Sequence, residues 1–404
     1  MNFWSRRADW LLRGVYTLFD LLREFGSAIY ADPHHCYASM RDAGPVHRVV
    51  LPDGRRCHLV LSYDGALQVL SSEAVSNQPP GCGGGNMLEA DPPRHTRLRR
   101  TVASAFSQSR VRDLTATIAR IVARQVDRLP MGEEVDLVKC FAQVVPVEVI
   151  GDVLGVPLAS ELGLGRWTTD IITSDAGSAR MRRARAELTS YVEEVVRDGR
   201  RLDPDGLVSE LSAQRRTLGV DYADLVSTIT LLVVAGHETT VNLIANALLA
   251  YVDTPGVANA LSSGEISADD LVAETLRHQP PLNLSANRYV VRDLDVAGCR
   301  LPGDGMTVIT SFAAANRDAE RFDRPDLFMP GRRSAGHLGF GSGLHRCPGS
   351  SLAVVEAGRA VGELVRRYPR MRRREPTRWL SSCISRSQRS LVVRLDGGTA
   401  TEHV

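Results

Sequence analysis

The strongest chemical signal in this sequence is the stretch Phe340-Gly-Ser-Gly-Leu-His-Arg-Cys-Pro-Gly349. A cysteine in a glycine-rich turn that opens a helix is suited to act as a metal thiolate. A buried anionic sulfur is costly to desolvate, so it needs donors aimed at it. The backbone N–H groups and the positive end of a helix over Ser350–Glu356 can supply them. The glycines at 341, 343 and 349 allow the backbone to approach a flat cofactor closely. The plainer alternative is a buried structural cysteine beside a glycine turn.

Three other groupings carry side chains at reactive spacings. His95 and Arg99, at i and i+4 after Asp91-Pro-Pro93, point the same way on a helix and can clamp a carboxylate. With Arg94, Arg97 and Arg100 adjacent, a solvated basic face is the alternative. Ala235-Gly-His-Glu-Thr-Thr240 interrupts a long apolar run. Mid-helix glycine and threonine weaken a helix, so the segment has either a function or threonines that bond back to a preceding carbonyl. Glu274 and Arg277, at i and i+3, share a helix face and alone would be read as a surface ion pair.

The elements that position these groups follow from periodicity. Val46–Val50 and Cys57–Leu61 read as strands flanking the hairpin signal Pro52-Asp-Gly54. Helical spacing runs through Val111–Leu129, Arg182–Asp198 and Tyr222–Tyr251, the last long and apolar at its centre. Strand-like pieces return at Arg288–Val291, Val308–Thr310 and Leu391–Leu395. Pro79-Pro-Gly-Cys-Gly-Gly-Gly-Asn86 can only be a loop, and Gly331–Leu344 is another that leads into Cys347. The sum is a mainly α protein with a small β component, a single domain over 31–396 between an N-terminal extension (1–30) and a tail (397–404).

With 404 residues, 43% hydrophobic and a formal net charge of +2, the chain gives no reason to invoke nucleic acid. Its positive charge is carried by arginine, Lys139 being the single lysine. Seven cysteines without a Cys-x-x-Cys pair make a poor disulfide framework or zinc site, which fits a reducing cytoplasm. The apolar segment Asp9–Leu22 is broken by Arg13 and Asp20, so it is read as an amphipathic helix, not a membrane span.

The cysteine loop Phe-x-x-Gly-x-x-x-Cys-x-Gly resembles the haem-binding loop of the cytochromes P450. The resemblance extends in order through the other groupings, from about Ala31 to Leu395. It implies the P450 fold, with haem b (iron protoporphyrin IX) between a long distal helix and the proximal loop, and Cys347 as the iron ligand. It further implies His95, Arg99, Arg288 and His345 as contacts of the haem carboxylates, and Ala235, Phe340 and Gly349 as haem contacts. Glu238 and Thr239 match the family's acid–alcohol pair, which binds dioxygen and relays protons to it. Glu274 and Arg277 would join Arg332, with Arg333 as a rival, in a buried charge network. Val354 departs from the family pattern, which often has arginine there. The implied substrate pocket is lined by the 78–88 loop, 165–185, Leu231–His237, Leu282–Ala286 and Ser381–Ser385.

The activity implied is that of a monooxygenase that reductively activates dioxygen to hydroxylate or epoxidise a small organic substrate. Natural-product intermediates of secondary metabolism, including antibiotic biosynthesis, are the substrates such members often take. No flavin or nucleotide fingerprint is present, since Gly81-Cys-Gly-Gly-Gly lacks a strand-then-helix context. Electrons must therefore come from a ferredoxin-type donor and its NAD(P)H-dependent reductase, docking near Arg97, Arg100 and Arg346. Rival readings are an oxidase that couples two substrate atoms, a peroxide-driven peroxygenase, which would be expected to lack the acid–alcohol pair, and an inactive haem-less relative that recruits a partner.

Pro348 also departs from the family, which usually has a small or branched apolar residue after the cysteine. Proline has no N–H, so one donor to the sulfur is absent while the ring suits a helix's first turn. Replacing Pro348 by Leu should raise the reduction potential of the haem. A redox titration showing no change would sink this account of the loop.

Overall fold

The computed structural model describes residues 32–51, 54–81, 85–158, 163–174, 177–215, 217, 219–332 and 336–396, and the backbone of Tyr16–Thr17. Among the described residues nine helices have ten residues or more: α1 (His34–Ala43), α2 (Arg94–Ala103), α3 (Gln108–Asp127), α4 (Val144–Leu154), α5 (Leu164–Thr173), α6 (Ala179–Asp198), α7 (Tyr222–Asp253), α8 (Ala268–His278) and α9 (Ser350–Arg367). A six-stranded sheet lies beside them, formed by β1 (Tyr16–Thr17), β2 (Val46–Val50), β3 (Arg56–Val60), β4 (Val75–Ser76), β5 (Arg288–Val290) and β6 (Thr307–Thr310) in the order β1-β2-β3-β6-β5-β4.

The helical and strand expectations hold within a few residues. β2 and β3 pair antiparallel, Val46 opposite Val60 and Val50 opposite Arg56, as the hairpin signal required. Pro52 and Asp53 of that turn lie outside the described residues. The helix expected across Asp9–Leu22 falls for the most part outside them too. Where the backbone is described, Tyr16–Thr17 is extended and pairs in parallel with Val49–Val50. The tail at 397–404 is likewise outside.

α7 dominates the packing. Its 32 residues span about 48 Å. Asp221 caps its start by accepting from the Asp224 backbone N–H. By length and composition it could cross a membrane, yet 78% of its most apolar window is buried inside the protein. Its two sides explain why. One meets α8 and α9, the other α4, α5 and α6. A helix apolar all round is a core helix when other helices surround it.

Behind this bundle is a buried charge network that sets the height of the cysteine loop. The Arg277 guanidinium, 1% exposed, donates to both Glu274 oxygens at 2.9 and 2.7 Å. Its other N–H groups reach the carbonyls of Asn316 at 2.9 Å, Pro325 at 2.7 Å and Leu327 at 2.9 Å. All five donors of the guanidinium fork are thus used. Arg332 donates to Glu274 at 3.4 Å, and the Met329 N–H does so at 2.8 Å. The expected third member is therefore Arg332, while its rival Arg333 is outside the described residues. From this network the Asn316 side chain accepts from the Leu338 N–H at 2.6 Å, and the loop to Cys347 starts there. Gly339 is required at that point, because a Cβ would stand 2.7 Å from the Leu276 carbonyl of α8.

Removing one partner of a buried pair strands the other charge in the core. Glu274→Ala should therefore lower stability by about 3–5 kcal/mol. An unfolding midpoint equal to that of the unaltered protein would show the network to be dispensable.

Candidate active site

Cys347 ends a turn whose closing bond is its own N–H to the Phe340 carbonyl, at 2.9 Å. Left-handed glycines at 341 (φ 67°) and 343 (φ 70°) make the turn possible. α9 starts at Ser350 with Gly349 as its N-cap, so the sulfur sits just before a helix N-terminus. Burial pushes the Cys347 thiol up, while the Gly349 N–H, then Arg99 and Arg346, pull it down. The cavity beside it is walled by α2, α7, the cysteine loop and β5.

Of the residues singled out by sequence, Cys347, His95, Arg99, Ala235, Thr239, Arg288, Phe340, His345 and Gly349 all line this one cavity. Four of them are cationic or can become so, and they converge. The His95 and His345 rings stand 4.1 Å apart, centre to centre. Neither ring nitrogen of His95, which is 1% exposed, has a hydrogen-bond partner, and neither does Nε of Arg288. Burial and then His95 and Arg288 push His345 down to about 3, and burial pushes Arg288 down to about 10. Arg99 donates to the Arg346 carbonyl at 2.6 Å while also lining the cavity. Buried donors without acceptors are rare. A flat group with two carboxylates would satisfy these donors, and haem, the cofactor of such a site, is such a group.

The distal wall is α7. Ala235 is exposed in the middle of the mostly buried helix, leaving room over the cavity. Gly236 lines the cavity too and also serves packing, since a Cβ there would stand 2.9 Å from Ile150 of α4. Thr239 donates to the Ala235 carbonyl at 2.5 Å, as the plainer reading of the segment held. With its proton committed there, the hydroxyl offers lone pairs to the cavity.

Glu238 is the one proposed site residue that does not line the cavity. Its side chain is turned toward α5, where it accepts from the Thr169 hydroxyl at 3.0 Å. Burial raises its carboxyl to about 7, and the Thr169 and Asn242 side chains pull it back. His237, also facing α5, meets Thr168 Oγ1 at 2.8 Å and the Gln143 carbonyl at 3.1 Å, and burial pushes it down to about 4. The carbonyl fixes the Nε2–H tautomer.

The pocket expectation needs correction in three places. No described residue of 165–185 or Ser381–Ser385 lines the cavity, and His237 does not either. α5 presents its inner face to α7, and Ser385 is engaged in a β-bridge with Leu282. From the 78–88 loop only Met87 and Leu88 reach it, joined by Asn77, while Leu231, Leu232, Leu282, Ser285 and Ala286 do so as expected. Cys82, Gly83 and Gly84 lie outside the described residues. Sequence reasoning passed over Phe106, which packs against Gly349, and Glu356, which also lines the cavity.

Arg97 was expected on a docking face. It approaches Asp224 of α7 to 3.9 Å, and the same carboxylate accepts from Arg94 at 2.5 Å. Arg97 is thereby drawn toward α7. Arg97, Arg100 and Arg346 are all exposed.

The family model Cytochrome P450 matches residues 268–376. The cytochrome P450 monooxygenase PikC of Streptomyces venezuelae is 38% identical over 366 residues, 86% of each chain. Cytochrome P450 107B1 of Saccharopolyspora erythraea is 33% identical, covering 93% of this chain and 98% of that one. Among solved structures, the tirandamycin C-bound P450 monooxygenase TamI superposes with a TM-score of 0.85 at 31% identity, over 92% of this chain and 99% of that one. CxnD, a P450 for C–S bond formation in chuangxinmycin biosynthesis, gives 0.85 at 30%, over 91% and 95%. A sulfur before a helix, a distal helix with a gap at Ala235 and donors awaiting two carboxylates agree with these likenesses: the chain belongs to the cytochrome P450 family and is a haem-thiolate monooxygenase.

Proposed function

We propose that Cys347 is the proximal ligand of haem b, with His95, Arg99, Arg288 and His345 holding the haem carboxylates. Phe340 and Gly349 pack on the proximal face, and Ala235 and Thr239 face the distal one. The observation that carries this reading is the shared cavity, in which a buried sulfur and partnerless buried donors meet. When bound, haem supplies the iron at which dioxygen is reduced and one of its oxygen atoms made available to substrate.

The chain's own residues then have separable tasks. The helix N-terminus and the Gly349 N–H stabilise the sulfur as an anion. Thr239 accepts a hydrogen bond from a proton-bearing group in the cavity, because its own proton goes to Ala235. Glu238, next to it on α7, is poised near neutrality and exchanges protons with the Thr169 side of the helix. Met87, Leu88, Leu231, Leu232 and Leu282 give the substrate an apolar surround.

The substrate proposed is a natural-product intermediate, hydroxylated or epoxidised, in the cytoplasm. The tirandamycin C-bound TamI supports this, as does nocardicin C N-oxygenase of Nocardia uniformis, a relative 31% identical to this chain. The likeness to CxnD supports a second reading, an oxidase that couples two substrate atoms. A ferredoxin-type donor with an NAD(P)H-dependent reductase supplies the electrons, docking at the exposed Arg97, Arg100 and Arg346.

Two measurements test these roles. Reduced protein with carbon monoxide should show the long-wavelength Soret band of thiolate ligation, and Cys347→Ser should abolish it. A Ser variant that keeps the band would remove Cys347 from the iron. The second concerns pH. The Thr169 hydroxyl favours the charged form of Glu238, so Thr169→Val should raise that carboxyl above its value of about 7. If protonated Glu238 is the form that delivers protons, product formed per NAD(P)H declines as pH rises through this value. The decline should move to higher pH in Thr169→Val and stay in place in Thr169→Ser. An unmoved decline in the Val variant would separate Thr169 from proton delivery.

A further inference from the structure

Glu356 lies in the interior of α9, 3% exposed, and its Oε1 has no hydrogen-bond partner. It follows Gly349, Leu352 and Ala353 along one helix face, and all four line the cavity that holds the Cys347 sulfur. Among the buried carboxylates near the site it alone has an oxygen with nothing to accept from. Glu274 is enclosed by arginines and Glu238 has Thr169.

The surroundings of Glu356 contain no charge that answers it. Burial is the sole cause of its shift, which brings the carboxyl to about 8. On α8, Glu274 and Arg277 are paired with each other, and Asp269 packs over Gly358, on the opposite face of α9. On α7, His237 and Glu238 face α5. The charged side chains of α3 point outward, Arg124 pairing with Glu148. Arg99 of α2 and Arg346 of the loop act on Cys347, and His95, His345 and Arg288 act on one another; none of them contributes to the shift of Glu356. Glu356 is therefore a lone buried acid that shares a low-dielectric space with the iron ligand. Any added negative charge in that space favours its protonated form.

We propose that Glu356 is a positioning residue for the electron: reduction of the haem by one electron is accompanied by uptake of one solvent proton on the Glu356 carboxylate. The balance is complete as stated. The electron comes from a one-electron donor (dithionite in the test, an iron–sulfur protein in the cell), and the proton comes from water. The only new bond is O–H on Glu356. This rests on Cys347 being the iron ligand, which the carbon monoxide band checks separately on the same sample.

The sign follows from linkage. Below the value for the oxidised protein the acid is protonated in both states, and the midpoint potential is independent of pH. Above it, reduction requires proton uptake, and the reduced-to-oxidised ratio at fixed potential falls by up to about tenfold per pH unit. The fall begins near pH 8 and ends at the higher value of the reduced protein. Spectroelectrochemical titration should show this slope in the native haem protein and a flat line in Glu356→Gln. The same slope in Glu356→Gln overturns the proposal. Should that variant fail to take up haem, reduced-minus-oxidised infrared spectra of the native protein decide. A protonated-carboxyl stretch that appears on reduction and shifts in heavy water supports the assignment, and its absence overturns it. Loss of the thiolate carbon monoxide band from the native protein would instead count against Cys347.

Discussion

A buried anionic sulfur is the constraint on which the rest of this structure depends. Left in the interior, the Cys347 thiol is pushed up by burial, toward the protonated form that does not bind metal well. Every nearby device works against that tendency: the Gly349 N–H, the start of α9, and the arginines at 99 and 346. Pro348 withholds a donor that most residues would give. Burial still outweighs them, so an anionic sulfur here would draw the rest of its stabilisation from a bound metal.

Holding the sulfur there is a mechanical problem, solved some distance away. Arg277 spends all its donors on Glu274 and three carbonyls, which fixes the 316–332 segment against α8. Asn316 passes that fix to Leu338, and Gly339 lets the chain lie against the Leu276 carbonyl. A neutral network could fill the same volume. A fork-shaped cation with every N–H matched to a distinct acceptor also specifies one geometry, which the ligand role proposed for Cys347 requires.

What was legible in the sequence was whatever depends on residues close together in the chain. The cysteine loop, the His95–Arg99 pair and the Glu274–Arg277 pair keep their meaning because fixed spacing on one turn or one helix sets their geometry. Their partners across the fold were less readable. Thr169 lies 69 residues from Glu238, and nothing local marks it. Arg94 belonged to a run of arginines that looked like a solvated face, yet it pairs with the buried Asp224 of α7, 130 residues away. The segments 165–185 and Ser381–Ser385 were placed on the cavity by resemblance, but helix packing and a β-bridge turn them elsewhere. Glu356 did leave a signal, since Gly349, Leu352, Ala353 and Glu356 follow helical periodicity. An acid at that spacing was passed over as ordinary helix.

The two acids set apart by burial, Glu238 at about 7 and Glu356 at about 8, stand on opposite sides of the cavity wall. Neither is fixed by a neighbouring cation, so both respond to small changes in local charge near neutral pH. They differ in what they can exchange with. Glu238 reaches outward through Thr169 on half-buried α5 and next to Thr239, which suits repeated proton transfer. Glu356 has no such hydroxyl and is enclosed by α9 and its neighbours, which suits holding a charge balance, not conducting protons. A chain that must accept electrons and protons in alternation gains from separating those tasks, because a single acid serving both would have its proton withdrawn by one step when the other needed it.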